Sequence, residues 1–458
     1  MASPNERGSW GSRTGFILAA AGSAVGLGNI WGFPTRVGQG GGAAFVVVYL
    51  LCVFLICAPI MIAELVLGRG SQRDPVGAYR FYRPNSKWWM VGALGVLAGV
   101  GILSFYSVIA GWTVAYIWFT ATGSISGNAD QIQNAFATFT ANGPLSVFLT
   151  FLFLAITAAC IITGVRSGIE RVTKALMPTL IILLILLALQ AITLPGAAEG
   201  LAYYLRPDFS KILDVGVLSA ALGQAFFSLS LGMGCMITYG SYMKKTDGIA
   251  SAALWVICLD TAIALLAGFI IFPAGFSIEG FDPSASGAGL IFNVLPQLFS
   301  TMPGGALFGT AFFILLAMAA LTSTISLLEV PVSHFIDEYG WNRKKAVLVI
   351  TAATFLLAIP SALGNGAVAA LGNFSGALGG NFLGLMAMVW NNYALPIGGF
   401  LTAIFVGYVW TSEAAVKELI SGNAWFPYPT FWGGLIRFVA PIAIAIIIIV
   451  TMWPLFSS

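Results

Sequence analysis

Three oxygen-bearing side chains stand inside long, mainly apolar runs. Asp260 lies in the middle of the run 248–273, and Thr322 and Ser323 are neighbours within the run 305–337. A carboxylate at the centre of a membrane span costs roughly 2.5 to 3.5 kcal/mol on insertion scales, which makes it a functional candidate. Carboxylate and hydroxyl oxygens suit a dehydrated cation. The alternatives are structural: a protonated or hydrogen-bonded Asp260, and hydroxyls bonded to carbonyls within their own helix.

Glycines interrupt two of the apolar runs. Residues 22–29 read Gly-Ser-Ala-Val-Gly-Leu-Gly-Asn, and residues 228–234 read Ser-Leu-Ser-Leu-Gly-Met-Gly. Backbone carbonyls and amides freed at bilayer depth are tolerated only where they line a cavity enclosed by protein. One broken helix in each half of the chain is typical of secondary transporters built from two repeats. We therefore predict that the binding site lies at the two breaks.

The composition is that of a polytopic membrane protein. Of the 458 residues, 59% are hydrophobic and 8% are charged, and the mean hydropathy is +0.93. These values lie outside the range of soluble globular proteins. About 20 apolar residues suffice to cross the hydrocarbon core as a helix. Eleven such runs predict an all-α fold, at 13–36, 43–67, 89–122, 145–164, 170–194, 215–242, 248–273, 305–337, 345–363, 378–410 and 433–456.

The order of the runs predicts one transporter domain, 1–458, with internal symmetry. The five runs in 13–194 and the five in 215–410 each begin with a broken helix, which indicates two five-helix repeats of inverted topology. The run 433–456 is then an additional helix. Two long polar connections, 121–144 and 274–304, fall on the outside. Several prolines stiffen the second connection, so it is able to fold over an outer vestibule.

The basic residues orient the chain in the membrane. With the N-terminus in the cytoplasm, every Lys and Arg except Arg36, Arg206 and Lys211 falls on the inner side. A cleavable signal peptide is not expected, because the polar start leads directly into the first run. We expect a multi-pass protein of the inner (plasma) membrane with an outer C-terminus. The net charge of +3 reflects this topology and gives no reason to expect nucleic acid as a partner.

The residue types of most enzyme sites are scarce. The five cysteines lie within apolar runs without CxxC spacing and are interpreted as small buried hydrophobic residues. His334 is the single histidine. A transition-metal site or a histidine-based nucleophilic mechanism therefore has little material, and an enzyme is not expected.

Several motifs occur in an order and spacing that match a known family. They are 17–29 with Phe33 and Pro34, 40–45, 59–64 with Gly68 and Arg69, 223–224, 226–234, 237–239 and 321–323. The sequence resembles the neurotransmitter:sodium symporters, in particular the bacterial amino-acid transporters of the LeuT type. The resemblance implies a five-plus-five inverted repeat with discontinuous helices 1 and 6. It also implies sodium-coupled import of an amino acid by alternating access.

The resemblance further implies two sodium sites. The first, Na1, uses the Ala24 carbonyl with Asn29, Ser228 and Asp260, where many relatives carry Asn in place of Asp260. The second, Na2, uses the carbonyls of Gly22, Val25 and Ala319 with the hydroxyls of Thr322 and Ser323.

By the same resemblance, an amino acid binds at the first break. Its carboxylate would face the amides of Leu27 and Gly28 at the start of a half-helix, with the Tyr106 hydroxyl as a third donor. Monoamine carriers of the family have an Asp at the position of Gly26, so Gly26 favours a substrate that brings its own carboxylate. The ammonium would face carbonyls of Ala24, Phe227, Ser228 and Ser230. A mostly apolar pocket favours a hydrophobic side chain; it consists of Ile102, Phe227, Met233, Ser323 and Leu327.

Chloride is not expected to take part. Tyr49, Gln224 and Ser228 match part of the chloride site of the animal members, while Ala264 replaces its remaining serine. A fixed carboxylate at Asp260 can supply the negative charge instead, so the resemblance favours a chloride-independent carrier.

The two gates differ in how well they match the family. The outer Arg–Asp pair is replaced by Gly32 and Ala387, so we expect outer closure to rest on Tyr106 and Phe227. The inner gate is retained, and its members are Arg7, Trp10, Tyr242 and Asp337, with Ser241 nearby. Gly168 and Pro178 match a motif that lets the fifth helix unwind from inside.

Three alternatives stay open at this point. The chain is also compatible with a sodium-coupled carrier of another carboxylate solute, with a non-transporting amino-acid sensor, or with a leaky sodium channel. The partners implied are an amino acid as a small-molecule substrate, sodium and the lipid bilayer, and no obligate protein partner is evident.

Overall fold

The computed structural model describes residues 8–207, 209–285, 290–375, 378–421 and 426–456, and these residues form helices and turns without a β-strand. The helices of the first half are α1 (Arg13–Ala24), α2 (Gly28–Gln39), α3 (Ala43–Ser71), α4 (Pro75–Tyr82), α5 (Trp89–Thr122), α6 (Ala129–Ala141), α7 (Gly143–Ile161), α8 (Val165–Ala191) and α9 (Ala197–Leu205).

The second half continues the same pattern. Its helices are α10 (Val215–Ser228), α11 (Cys235–Ser241), α12 (Ile249–Gly275), α13 (Leu290–Thr301), α14 (Gly305–Tyr339), α15 (Arg343–Leu363), α16 (Phe382–Val409), α17 (Ser412–Leu419) and α18 (Pro429–Val450), with a single helical turn at Ala369–Gly372. Below, the α1 end is the end of the bundle at which α1 begins, and the far end is the opposite one.

The predicted spans correspond to the observed helices. Among the described residues, nine helices are long and apolar enough to cross a membrane, and α1 with α2 forms a tenth span bent by 49°. The remaining predicted run, 215–242, consists of the two shorter helices α10 and α11. Large apolar side chains such as Trp118 and Trp255 are exposed on the outside of the bundle, as a lipid-facing surface requires.

The first break is narrower than the sequence predicts. The Ser12 hydroxyl caps the start of α1, and the last helical bond joins the amide of Val25 to the carbonyl of Ala21 at 2.7 Å. The backbone is then extended at Val25, and the chain resumes helical geometry at Gly28. Gly22 therefore belongs to α1, and only residues 25–27 separate the two half-helices.

The second break uses left-handed backbone conformations. Ser230, Gly232 and Gly234 have φ values of 53°, 78° and 76°. Glycine adopts such values without steric cost, whereas Ser230 needs compensation. The Ser230 hydroxyl donates to the carbonyl oxygen of Ser23 at 2.8 Å, so a direct hydrogen bond joins the two breaks.

Long helices surround the breaks. α5 packs along α14, and α1 packs against α8, α12 and α14, while α10 and α11 both pack against α3. The two breaks therefore lie side by side in the interior, where freed backbone groups have protein partners.

The connection 274–304 contains α13 and a tight turn at Pro283–Ala285. The Pro283 carbonyl approaches Gly38 of α2 so closely that a side chain at residue 38 would collide with it. The connection thus contacts the far end of α2, and its role as a lid stays a prediction.

Candidate substrate and ion sites

A small cavity of about 20 Å³ lies between the two breaks. Ten of the twelve residues predicted to bind substrate line it, together with Ser23; the ten are Ala24, Gly26, Gly28, Ile102, Tyr106, Phe227, Ser230, Met233, Ser323 and Leu327. Of the other two, Leu27 faces a larger neighbouring cavity, and Ser228 belongs to a carboxylate cluster described below.

Polar groups converge on one side of this cavity. The Leu27 amide donates to the Tyr106 hydroxyl at 2.9 Å, and that tyrosine is buried. A Cβ at Gly26 would collide with the Ser323 hydroxyl and lie 2.6 Å from that of Tyr106. Only glycine at residue 26 lets both hydroxyls approach the broken backbone. A substrate carboxylate at the start of α2 could accept hydrogen bonds from the Leu27 amide and the Tyr106 hydroxyl, which in this structure contact each other.

Asp260 forms the centre of a buried cluster of side chains. Its Oδ1 accepts from Asn29 Nδ2 at 2.7 Å, and its Oδ2 accepts from the Ser228 hydroxyl at 2.8 Å. The Tyr49 hydroxyl lies 3.5 Å from Ser228 Oγ. The Asn29 amide oxygen accepts from the Gly26 amide at 3.0 Å, so Asn29 joins the cluster to the cavity.

The orientation of Asn29 bears on ion binding. Its amide nitrogen faces Asp260, whereas a sodium ligand would be the amide oxygen. Placing the oxygen toward an ion at Asp260 therefore requires the amide group to turn over.

The predicted hydroxyl pair lies beside the first break. The Thr322 hydroxyl is 2.9 Å from the Ala319 carbonyl oxygen and 3.3 Å from that of Val25, and the Ser323 hydroxyl is also 3.3 Å from the Val25 oxygen. Gly22 lies beside the same hydroxyl pair, because a Cβ at Gly22 would be 3.2 Å from Thr322 Cβ. The Thr322–Ala319 bond is also what the structural alternative requires, so geometry alone does not separate the two interpretations.

A second cavity of about 270 Å³ extends from the small cavity toward the far end. Gly28, Tyr106 and Phe227 line both cavities and so form the partition between them. The Phe227 ring lies against Gly28, because a Cβ there would be 2.9 Å from it. Gly32 and Ala387 line the larger cavity together, as the outer-gate alignment predicts, and Arg36 lines it as well.

At the α1 end, aromatic rings close the space between α1 and α11. Trp10 donates from its indole nitrogen to the Tyr239 carbonyl at 2.9 Å, and its ring centre is 6.1 Å from that of Tyr242. Asp337 Oδ2 accepts from the Asp74 amide at 2.8 Å. Arg7, the fourth predicted member of this gate, lies outside the described residues.

A buried ion pair at the α1 end was not predicted from the sequence. Glu329 accepts two hydrogen bonds from Arg343, the shorter at 2.6 Å, and a third from the Tyr242 hydroxyl at 2.7 Å. The Glu329 side chain is fully buried. The sequence contains a signal that could have identified Glu329, because it is a charged residue within the mainly apolar run 305–337, as Asp260 is in the run 248–273.

Glu170 is another residue that sequence reasoning missed. Its carboxylate accepts from the Gly11 amide at 2.6 Å and from the Ser12 hydroxyl at 3.0 Å, and it is paired with Lys174. It ends a π-helical turn, Val165–Glu170, that contains Gly168 of the predicted unwinding motif. The first residues of α1 are therefore held by the segment predicted to unwind.

The fold and the sites define a multi-pass membrane carrier whose central cavity lies between two broken helices. The chain belongs to the sodium:neurotransmitter symporter family, whose model matches residues 7–140 and 128–457. It is 38% identical over 440 residues to the sodium-dependent transporter YhdH of Bacillus subtilis, with 96% of each chain covered. A sodium-dependent transporter of Haemophilus influenzae is 34% identical over 97% of this chain and 98% of its own length.

A solved structure supports the same conclusion. The crystal structure of MhsT in complex with L-phenylalanine is similar at a TM-score of 0.90 and 45% identity, covering 97% of this chain and all of that one. The all-α LeuT-type fold with discontinuous first and sixth spans is thus confirmed, and the chain is a member of a family of sodium-dependent membrane transporters. The repeat boundaries 13–194 and 215–410 stay a prediction.

Proposed function

We propose that this protein is a symporter that imports a hydrophobic amino acid with two sodium ions and without chloride. The N-terminus, and with it the α1 end, lies in the cytoplasm, and the protein resides in the plasma membrane. The distribution of Lys and Arg supports this orientation.

The Asp260 cluster is the observation that carries the proposal. Asp260 is fully buried, and its hydrogen-bond partners among the described residues, Asn29 and Ser228, are neutral. A buried carboxylate is stable when a cation compensates its charge. A sodium ion supplies that charge, with Oδ1 of Asn29 turned toward it and the Ala24 carbonyl as a further ligand. The second ion lies between the Val25 carbonyl and the hydroxyls of Thr322 and Ser323.

The small cavity supports an amino-acid substrate. The start of α2 and the Tyr106 hydroxyl favour a carboxylate, and Gly26 leaves no protein carboxylate to replace it. Ile102, Met233 and Leu327 are buried and form an apolar wall for a side chain. Similarity to MhsT, which was solved with L-phenylalanine, agrees with a hydrophobic side chain.

Coupling follows from shared residues. Ser323 lines the cavity and also contacts the Val25 carbonyl beside the second ion, while Asn29 releases the Gly26 amide at the cavity when it turns toward the first ion. Substrate and sodium therefore stabilise the same closed arrangement of the two breaks, and each raises the affinity of the other. The membrane potential adds about 2.3 kcal/mol per charge for each 100 mV.

Independence from chloride rests on the same carboxylate. Asp260 lies against Ser228, which Tyr49 also approaches, so a negative charge already occupies the neighbourhood in which chloride would bind. Ala264, one turn further along α12, is buried and adds no polar ligand.

The test is uptake into proteoliposomes. Each of the twenty amino acids is supplied outside with an inward sodium gradient, with a potassium gradient as the control, and in chloride and gluconate salts. We expect sodium-dependent accumulation of one or more hydrophobic amino acids in both anions. Binding without accumulation would identify a sensor, and sodium flux without saturation by substrate would identify a channel. Accumulation of none of the twenty, with accumulation of a betaine or of a β- or γ-amino acid supplied in the same way, would favour the other carboxylate carrier.

A further inference from the structure

The single histidine of the chain lies at the α1 end, in contact with the predicted inner gate. His334 Nδ1 is 2.9 Å from Asp74 Oδ1, and the side chain of His334 is 15% exposed while that of Asp74 is fully buried. Asp74 Oδ1 also accepts from the Val76 amide at 2.9 Å and so caps the start of α4. An acceptor carboxylate requires a donor, so Nδ1 carries a proton.

Asp74 also contacts Asp337, a member of the predicted inner gate. The backbone amide of Asp74 donates to Asp337 Oδ2 at 2.8 Å, and Asp337 is three residues beyond His334 on one face of α14. His334, Asp74 and Asp337 therefore form one hydrogen-bonded chain, the His334 chain. None of the transport steps proposed above uses His334 or Asp74.

The charged side chains around the His334 chain make contacts of their own. On and beside α4, Arg80 pairs with Glu338 of α14, Arg73 lies over the Phe81 ring, and Arg83 donates to the Val409 carbonyl. At the start of α15, Lys345 lies over the Trp341 ring. Glu329 and Arg343, between α14 and α15, are paired with each other, and the Tyr339 ring lies beside that of His334 at 5.7 Å. An imidazole is the side chain whose charge changes between about pH 5 and 8.

The His334 chain joins two parts of the molecule. Asp74 follows the end of α3 by three residues, and α3 packs against α11, one half of a broken helix. Asp337 and His334 belong to α14, which packs along α5. Opening of the α1 end by a movement of α3 and α11 away from α14 would separate Asp74 from His334, so their contact resists such a movement. A charged imidazole holds a carboxylate more strongly than a neutral one does.

We propose that His334 is a positioning residue through which protons on the side of the α1 end control the transport cycle. Protonation of His334 tightens the His334 chain and slows the opening of that end. Acid on that side therefore slows release of sodium and substrate without a change at the binding sites. The inference rests on the proposed function and its cytoplasmic orientation of the α1 end.

The test varies pH on one side at a time. In right-side-out membrane vesicles with an inward sodium gradient, lowering the internal pH from about 8 to about 6 should reduce the initial uptake rate about two- to fivefold, the range for a partly exposed ion pair. Lowering the external pH with the internal pH held constant is the control and should leave the rate unchanged. An effect from the external side alone, or faster uptake at acid internal pH, contradicts the inference.

Substitutions at residue 334 separate charge from packing. His334→Asn keeps an N–H donor near the position of Nδ1 and does not titrate, so uptake should be rapid and independent of internal pH. His334→Arg is charged at every pH and should be slow at every internal pH. A parent-like internal pH dependence in His334→Asn would overturn the inference, because another group would then carry the effect.

A second measurement needs no transport. Because the chain has one histidine, protein labelled with isotopic histidine gives a single imidazole signal in NMR. The signal should shift when sodium and amino acid are added, and Asp74→Asn, which still caps α4, should abolish the shift. If vesicles show no sodium-driven uptake but sodium and amino acid still bind, the proposed function fails while the NMR result still tests the His334 chain. If uptake is normal but neither depends on internal pH nor is accompanied by a shift of the imidazole signal, the inference about His334 is wrong while the proposed function is still supported.

Discussion

At the scale of single residues, the charge of Asp260 is what distinguishes the first ion site. Its Oδ1 and Oδ2 each hold one neutral partner, so the carboxylate is fixed in place with its charge uncompensated by any described side chain. A fixed charge of this kind attracts sodium and repels chloride, and both consequences are measurable.

Asp260→Asn keeps the volume and the contact to Ser228 and removes the charge. We expect the sodium concentration for half-maximal substrate binding to rise about tenfold or more, because a hydrogen bond or ligand bond to a charged group is worth about 1.5 to 3 kcal/mol. Binding should also become stronger in chloride than in gluconate. Glu170→Gln, which neutralises a carboxylate at the α1 end, is the control and should give no chloride response. Parent-like titrations in both salts would place the ion elsewhere.

The hydroxyl pair on α14 gives a second prediction. Thr322→Val and Ser323→Ala each remove one oxygen beside the Val25 carbonyl with little change in volume. At saturating substrate, the sodium concentration for half-maximal binding should rise severalfold in each variant while the thermal unfolding midpoint changes little. Ser326→Ala is the matched control, because its hydroxyl bonds to the Ser323 carbonyl at 2.8 Å and lies away from Val25. Unchanged sodium titrations in both variants would support the structural alternative, in which these hydroxyls only bond to their own helix.

The sequence predicts isolated charges better than it predicts their partners. Asp260 stands out because a carboxylate is rare in an apolar run, whereas the family resemblance is what selects Thr322 and Ser323 among the several hydroxyls of the run 305–337. Glu329 carries the same signal, yet its partner Arg343 belongs to another helix, and no spacing rule joins them. The contact between His334 and Asp74, 260 residues apart, is likewise visible only in three dimensions.

At the scale of elements, the glycines locate both breaks but not their bounds. Gly22 stays in α1 because a single glycine within a helix costs only about 1 kcal/mol, which its packing against Thr322 offsets. The π-helical turns, such as Val165–Glu170, have no residue signature that predicts them. Those in α2 and α16 lie near the cavities and the one in α8 lies at the α1 end, while others lie in α3, α13 and α18.

The contact between α14 and α15 is the prediction at this scale. Glu329→Gln leaves Arg343 without a charged partner, so the α1 end should close less firmly; Arg343→Gln leaves a buried carboxylate and should be more damaging, by about 3 kcal/mol or more. The double variant should lose less stability than the two single losses added together. Thermal unfolding midpoints of the four proteins measure this coupling. Additive losses would mean that the pair contributes through independent contacts.

At the scale of the whole molecule, the two ends of the bundle close by different means. The α1 end has an ion pair, a histidine and aromatic packing around Trp10. Toward the far end, the cavities are separated by Phe227 and Tyr106, and no described ion pair joins α2 to α16. We therefore expect closure at the far end to depend on apolar contact, and substrate affinity to vary little with ionic strength at fixed sodium.

Restoring a charged pair tests this account of the far end. Gly32 and Ala387 line one cavity, and a side chain at residue 32 would pass within 3.2 Å of Gln224 Oε1, which offers an acceptor to a guanidinium. Gly32→Arg with Ala387→Asp should slow substrate dissociation about fivefold relative to either single variant, since a partly exposed ion pair is worth about 1 kcal/mol.

Arg36 lines the same cavity and would pair with a lone carboxylate at residue 387, so the four-member cycle is repeated with Arg36→Gln throughout. When Arg36 is replaced, a carboxylate at residue 387 has only the arginine introduced at residue 32 as a cationic partner. The coupling energy then measures whether α2 and α16 approach each other when substrate is enclosed. Additive effects on the dissociation rate would mean that residues 32 and 387 never meet, and the far end would then close without bringing these two helices together.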